Sequence, residues 1–295
     1  MSIPFLKQDP LAHGAVERTA PGVRRIVCNN PSAFTFRGTN TYLVGTGEVA
    51  VIDPGPENEA HLAAILAATA GETITHVVVT HTHRDHSPGA RPLVAATGAM
   101  TYGFGPHVTP PDAAGEGGDH GFHPDTRVAD GESIAGDGWR LEALHTPGHC
   151  ANHLCFALAL GGADTGVLFS ADHVMSWSTS VVSPPDGDMA DYMRSLARLR
   201  ARDDTLLLPG HGPPLTDPKP FLAALAEHRM EREAKVLAAL RGAGRATADD
   251  LVPPVYGLLD PRLVRPAGRS LLSHLIKLEG EGAVARDGEA WSALG

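Results

Sequence analysis

The sequence has no CxxC pair, no secretory leader pattern at its start, no apolar run of membrane-spanning length and no excess of positive charge. Each absence removes a class of function. Its three cysteines, Cys28, Cys150 and Cys155, leave an odd thiol and no obvious disulfide framework, as expected of a reducing compartment. Residues 1–10 offer neither a basic n-region nor a long apolar h-region, so a cytoplasmic location and no membrane span are the expectations. A formal net charge of −10 supplies no overall attraction to phosphate backbones or anionic membranes. What is there, 295 residues of which 42% are hydrophobic, suffices for one large domain, or a large and a small one, with a real core.

The chain is organised around residues 77–86. Val77, Val78 and Val79, an apolar β-branched run suited to a buried strand, give way to Thr80, His81, Thr82, His83, Arg84, Asp85 and His86, and then to the turn-forming Ser87, Pro88 and Gly89. His81 and His83 are two apart, so in extended backbone both imidazoles leave the same face and converge on one cation. Asp85 and His86 lie past the bend and reach a second. Four ligands are too few for two metals, which demands further histidine or aspartate at later strand ends. Three such positions follow: His149 after residues 141–148, Asp172 after 166–171, and His211 after 205–210, each an apolar run closing in small or turn-forming residues.

This pattern, HxHxDH followed by a lone His, a lone Asp and a final His, resembles the metallo-β-lactamase superfamily. The resemblance runs from about Asn40 to His211 and takes in Asp53, which ends the run Val49, Ala50, Val51, Ile52 and precedes Pro54 and Gly55. It implies an α+β fold, the αββα sandwich of that superfamily. It also implies that His81, His83 and His149 hold one metal, that Asp85, His86 and His211 hold the other, and that Asp172 bridges them. With seven ligands filling both sites, Cys150 beside His149 reads as a buried structural thiol. Asp53 reads as a support that accepts hydrogen bonds from the ligand-bearing loop.

Around these positions the pattern is simpler. Residues 23–28, 40–44 and 49–53 read as strands with Gly45, Thr46 and Gly47 as a hairpin connection, and residues 30–39, with Phe34, Phe36 and Arg37, as a loop that borders the groove or lies on the surface. Residues 57–68 read as an amphipathic helix, with His61 satisfied or exposed. The stretch 102–130, including Pro110, Pro111, Asp112 and Gly115 to Asp119, is a surface excursion or a cover for the site, and His107, His120 and His123 within it are not read as ligands. His145, His153 and His173 sit beside the ligands and are read as satisfied polar neighbours, with support of the ligands or proton transfer as the alternative. His211 follows Asp172 by only 39 positions (211 − 172), an interval that includes a helix over 189–202 and is too short for the inserted domain that nucleases of this superfamily carry there.

After His211 the chain turns helical. Asp217 and Pro218 read as a cap and first-turn pair, an apolar stripe continues to Gly242, and Gly244 marks the boundary between a catalytic domain, 1–243, and a C-terminal module, 244–295. Thr247 leads a short helix, Pro253 and Pro254 break it, residues 269–278 form another, and 284–291 form a hairpin with an Asp287-Gly288 turn. Helix, helix and hairpin resemble a winged-helix module, so the whole layout resembles the winged-helix-tailed metallo-β-lactamase-like hydrolases, a group that includes a mitochondrial endoribonuclease. From Arg245 onward, six basic residues face seven acidic ones. The module lacks a strong positive footprint, although Arg262, Arg265 and Arg269 could gather on one face.

The resemblance implies two divalent cations, zinc by preference with iron or manganese compatible, lowering the pKa of a shared water and holding the hydroxide as nucleophile, with Asp85 orienting it and shuttling its proton. The expected activity is hydrolysis of an ester, thioester or phosphodiester, on a small molecule or single-stranded RNA. An endoribonuclease and a glyoxalase II-like thioesterase are the specific alternatives. No basic cluster in the tail matches the glutathione carboxylate of the latter. A nucleic-acid-binding protein with a structural metal is the alternative from another class, and the bridging carboxylate argues against it. Oligomeric state is not encoded in these features.

Overall fold

The computed structural model describes residues 3–110 and 117–294. Two sheets face each other across an apolar core. The first has seven strands in sequence order, β1 (Val16–Ala20), β2 (Val23–Val27), β3 (Asn40–Val44), β4 (Glu48–Ile52), β5 (Thr73–Val78), β6 (Met100–Gly103) and β7 (Thr126–Arg127). The second runs in the order β13 (Leu215–Thr216), β12 (Leu206–Pro209), β11 (Ala163–Ala171), β10 (Leu154–Leu160), β9 (Trp139–His145) and β8 (Ser133–Gly136). Helices α1 (Glu59–Ala68) and α2 (Ala90–Thr97) connect the parallel strands β4, β5 and β6, and α3 (Met189–Arg200) and α4 (Pro218–Ala243) pack on the second sheet.

Period-two alternation explains this layering. In β4, Ala50 and Ile52 enter the core between the sheets, while Val49 and Val51 face Ile65 of α1 and Leu93 of α2. In β10, Leu154, Phe156 and Leu158 point inward, whereas Cys155 and Ala157 meet Leu196 and Leu199 of α3 and Phe221 of α4. Strands covered on both faces must be apolar at nearly every position, which is why the runs ending β5, β11 and β12 are continuous, whereas β9 alternates and exposes Arg140. Cys28, Cys150 and Cys155 are all buried free thiols.

The C-terminal module is a three-stranded sheet, β14 (Ala246–Thr247), β16 (Ala290–Ala293) and β15 (Val284–Asp287), with helices α5 (Val252–Tyr256) and α6 (Pro261–Gly280). Trp291, Leu271 and Leu275 centre its core, which reaches back to Val236 and Leu240 of α4.

Several local expectations are corrected. Pro253 and Pro254 do not break a helix but begin α5, because proline is tolerated in a first turn where the amide has no partner. Helix α6 starts at Pro261, eight residues before the expected Arg269, and carries Pro266 inside it. Asp217 occupies the N-cap of α4 in a left-handed conformation (φ 52°) and its side chain makes no capping bond; Pro218 alone fills the expected role. The C-terminal hairpin pairs Asp287 with Ala290, so its turn residues are Gly288 and Glu289, with Gly288 at φ 62°. Strands β1, β6, β7 and β8 and helix α2 were not anticipated; β1 is a half-exposed edge, β7 is a two-residue strand inside the stretch read as an excursion, and α2 spans only eight residues. Pro111, Asp112, Gly115 and Glu116 lie outside the described residues, as does the side chain of Arg262.

Candidate metal centre

Strand ends place every residue of the expected set at one edge of the sandwich. Strands β11 and β12 are parallel with Ala171 opposite Pro209, so Asp172 and His211 leave the second sheet on the same side. Strands β4 and β5 are parallel in the first sheet, and Asp53 N–H donates to Val78 O at 2.9 Å just before the histidine cluster. The two edges are tied together: Leu154 N–H donates to Thr80 O at 2.8 Å, and Asn40 N–H to Gly210 O at 2.7 Å. Ala171 adopts φ 43°, a conformation that a non-glycine residue holds only when its surroundings enforce it, and this turns the next residue, Asp172, into the site.

Four overlapping groups of donors result among the described residues, two of which, Asp53 with His81 and His86 and His83 with Cys150 and Asp186, draw on supporting residues, and two of which match the expected set. His81, His83 and His149 offer ring nitrogens within 4.8 Å of one another, and Asp85, His86 and His211 present a carboxylate oxygen and two ring nitrogens within the same span. His83 Nδ1 lies 2.9 Å from His149 Nε2, and His86 Nε2 lies 3.2 Å from His211 Nε2. Asp172 stands between the groups: its Oδ2 is 3.7 Å from His149 Nε2, 3.6 Å from His86 Nε2 and 3.3 Å from His211 Nε2. Its Oδ1, like His81 Nε2, is buried without a protein partner. Buried polar atoms are rarely left so, and a cation held between the groups would satisfy both atoms.

The outer ring nitrogens give a second test of fit. His86 Nδ1 donates to Asp53 Oδ2 at 2.9 Å, His149 Nδ1 to Val181 O at 2.7 Å and His211 Nδ1 to Gly38 O at 3.2 Å. His81 Nδ1 reaches Thr80 Oγ1 at 3.0 Å, and His83 Nε2 faces Asp186 Oδ2 at 3.6 Å. Thus His81, His86, His149 and His211 each have an acceptor for the outer proton and turn the other nitrogen inward, the tautomer a metal ligand needs, while His83 Nε2 faces the Asp186 carboxylate beyond hydrogen-bond distance. Asp53 is saturated otherwise: Oδ1 accepts from Thr80 N at 2.8 Å and Oδ2 also from Thr80 Oγ1 at 2.7 Å. It supports the ligand-bearing loop.

Electrostatics separate the two groups. Burial, reinforced by neighbouring imidazoles, pushes the His81 pKa far down and that of His149 to about 4, so both are neutral near pH 7. Burial would lower His211 as well, but Asp172 and Asp85 outweigh it and raise His211 to about 9, and His86 rises for the same reason together with Asp53. Burial would raise the Asp172 carboxyl, yet His211 and His86 hold it well below the usual carboxylate range. Without a cation, these carboxylates hold protons on the histidines where a cation would bind. Asp85, with 30% of its side chain exposed, is the carboxylate of the set open to solvent, whereas His81, His86 and His211 are closed off.

Among the remaining histidines, His61 is buried, with Nε2 2.7 Å from Thr41 Oγ1. His153 Nδ1 contacts Thr146 Oγ1 at 2.9 Å and its Nε2 accepts from Asp172 N at 3.2 Å; His145 Nε2 faces Ala151 O at 2.9 Å. His173 is buried against Tyr192, and neither of its nitrogens has a partner. His107 Nδ1 meets Thr82 Oγ1, His120 packs edge-on against His107, and His123 is exposed. The excursion folds back on the site, with Asp119 N donating to Thr82 O and Arg84 N to Gly117 O. The loop over 30–39 borders the site through Thr39, whose Oγ1 donates to Asp85 O at 2.9 Å. Cys150 donates weakly to Asn152 Oδ1, and burial drives its thiol pKa far up. Asp186 was missed from sequence because it follows two prolines in a segment that reads only as a turn.

Residues 34–211 match the family model of the metallo-beta-lactamase superfamily, and residues 247–291 that of the beta-lactamase associated winged helix domain. A protein from Aspergillus chevalieri named atrochrysone carboxyl ACP thioesterase is 30% identical over 92% of this chain and 85% of its own length. The beta-lactamase-like protein 2 homolog of Drosophila melanogaster is 32% identical over 91% of both chains. A beta-lactamase domain protein from Burkholderia ambifaria shares the fold at a TM-score of 0.79 and 22% identity, covering 98% of this chain and 97% of that one.

Proposed function

The chain belongs to the metallo-β-lactamase superfamily and carries its associated winged-helix domain, and we propose that it is a dinuclear metal-dependent hydrolase of acyl thioesters and related esters. One observation carries the dinuclear part: Asp172 Oδ2 lies within 3.7 Å of donor nitrogens in both groups. On this reading His81, His83 and His149 hold one cation, Asp85, His86 and His211 the other, and Asp172 both. Residues 1–243 carry the chemistry, and 244–295 form a module docked on α4.

Two divalent cations held by these residues, zinc suiting the histidine-rich donors best, would supply Lewis acidity and a water that is nucleophilic near neutral pH. The chain does the rest. Asp85, anionic and open to solvent, accepts the proton of the attacking water at its carboxylate. The closed His81, His86 and His211 walls exclude bulk water behind it. A thiolate leaves without prior protonation because thiol pKa values lie near ~8.5, so the reaction needs one proton acceptor and no second acid.

The acyl class is favoured over phosphodiesters by the tail. Arg245 pairs with Asp287, Lys277 with Glu233 and Glu281, and Arg269 with Ser183 Oγ and Pro184 O, so these cations are committed within the chain. A relative named as an acyl-carrier thioesterase agrees with it. The test is thiol release from acyl-coenzyme A and S-lactoylglutathione by zinc-loaded protein, beside single-stranded RNA and beside His83→Ala. Metal-dependent thiol release absent from His83→Ala is the expected result. RNA cleavage with intact thioesters would move the reading to a phosphodiesterase.

A further inference from the structure

The acceptor of the His149 outer proton and the carboxylate that faces His83 both come from one loop. Val181 O accepts from His149 Nδ1 at 2.7 Å, and Asp186 Oδ2 faces His83 Nε2 at 3.6 Å. The loop is tied to the segment bearing His149: Ala151 N donates to Asp186 Oδ1 at 3.2 Å, and Asp188 N to Gly148 O at 3.0 Å. At Gly187 any Cβ would meet Ser183 N at 2.5 Å and His149 O at 3.0 Å, so loop and ligand segment are in backbone contact. The outer face of the same loop is held by arginines. Arg229 of α4, buried and stacked over Tyr192, donates to Ser180 O, while Arg269 of α6 donates to Ser183 Oγ at 2.8 Å and to Pro184 O. The other cation's histidines take their outer partners elsewhere, from Asp53 and Gly38.

We propose that residues 180–188 brace His83 and His149 of the first donor group and none of the second, and that Arg229 and Arg269 set that brace from the C-terminal helices. This rests on the dinuclear reading. It gives the winged-helix module a role at the site: Arg269 is a positioning residue for one of two cations, acting through Val181 and Asp186. A ligand histidine whose outer acceptor drifts loses both orientation and basicity, which lowers metal affinity by about 10- to 100-fold.

The experiment titrates full-length metal-free protein with Co2+ and follows the visible absorption of the bound ion. Arg269→Ala is placed in two backgrounds, His211→Ala, which leaves the braced group complete, and His149→Ala, which leaves the other complete. Asp186→Asn, which weakens the acceptor without touching the tail, is run in parallel. Expected is a loss of about 10- to 100-fold in Co2+ affinity for both variants in the first background, a change of less than about threefold in the second, and an unchanged melting temperature without metal for Asp186→Asn. Equal loss in both backgrounds, or none in the first, overturns the proposal. Wild-type protein that takes up no Co2+ overturns the dinuclear reading itself.

Discussion

Replacing Asp53 by asparagine tests whether one carboxylate governs both proposed cation sites. Asp53 Oδ2 accepts from His86 Nδ1 at 2.9 Å and from Thr80 Oγ1 at 2.7 Å, and Thr80 Oγ1 in turn lies 3.0 Å from His81 Nδ1. A carboxylate only accepts, so the His86 proton sits on Nδ1, and the Thr80 hydroxyl, donating to Asp53, receives the Nδ1 proton of His81. In Asp53→Asn the amide oxygen would keep the bond from Thr80 N and the residue would tolerate the φ of 51°, but an NH2 group would stand where Oδ2 was. That donor needs an acceptor from His86 Nδ1 and from the Thr80 hydroxyl, and both histidines then carry their proton on Nε2, the atom that should face a cation. Undoing each rearrangement costs about 1.5–3 kcal/mol, or about 10- to 150-fold in affinity at each site. The assay is Co2+ titration of Asp53→Asn, with ring nitrogen chemical shifts of the metal-free protein reporting the tautomers. Asp53→Ala, which removes the acceptor without imposing a donor, should bind metal with intermediate affinity while being less stable. An asparagine variant that binds two cations within about threefold of wild type would refute the tautomer argument.

Other outcomes follow from the same geometry. In Gly210→Ala the new Cβ would overlap Asp172 Oδ1 and come within 2.8 Å of His86 Cε1, so we expect metal content below two per chain and thioester hydrolysis reduced at least about 100-fold, measured by metal analysis and thiol release. Burial lowers His61 to about 4 and His173 to about 3, so the unfolded chain binds protons that the folded one refuses as pH falls below about 6.5. Stability is full above that pH and drops by up to about 1.4 kcal/mol per pH unit for each residue down to those values, which urea midpoints at pH 7, 5.5 and 4.5 will register. His211, raised to about 9, acts in the opposite direction in metal-free protein: its contribution is complete below about 6.5 and lost as pH climbs through 9, and zinc loading should remove that alkaline limb. Chelation should abolish hydrolysis yet leave the far-ultraviolet circular dichroism intact, because the cores between and outside the sheets contain none of the ligands; readdition of zinc at about 100 times its dissociation constant should restore about 2.7 kcal/mol per site.

The candidate ligands were legible because most follow strands whose ends are buried on both faces, and such strands announce themselves as continuous apolar runs ending in turn residues; His149 follows β9, which exposes Arg140, and was marked by its turn residues instead. Local spacing also carried His81 with His83 and Asp85 with His86. The tail was legible as helix, helix and hairpin, but its boundaries were not, because Pro253, Pro254 and Pro261 start helices here and a proline alone does not say which side of a helix end it occupies. Only the tertiary structure could bring Asp186 to His83, Val181 O to His149 and Gly38 O to His211, since these contacts join segments up to 173 residues apart through backbone groups or a turn aspartate. The sequence by itself determined which donors reach the sandwich edge, because strand period and apolarity are local properties. The fold decided which atom of each donor faces inward, because a tautomer is set by whatever distant acceptor the packing delivers.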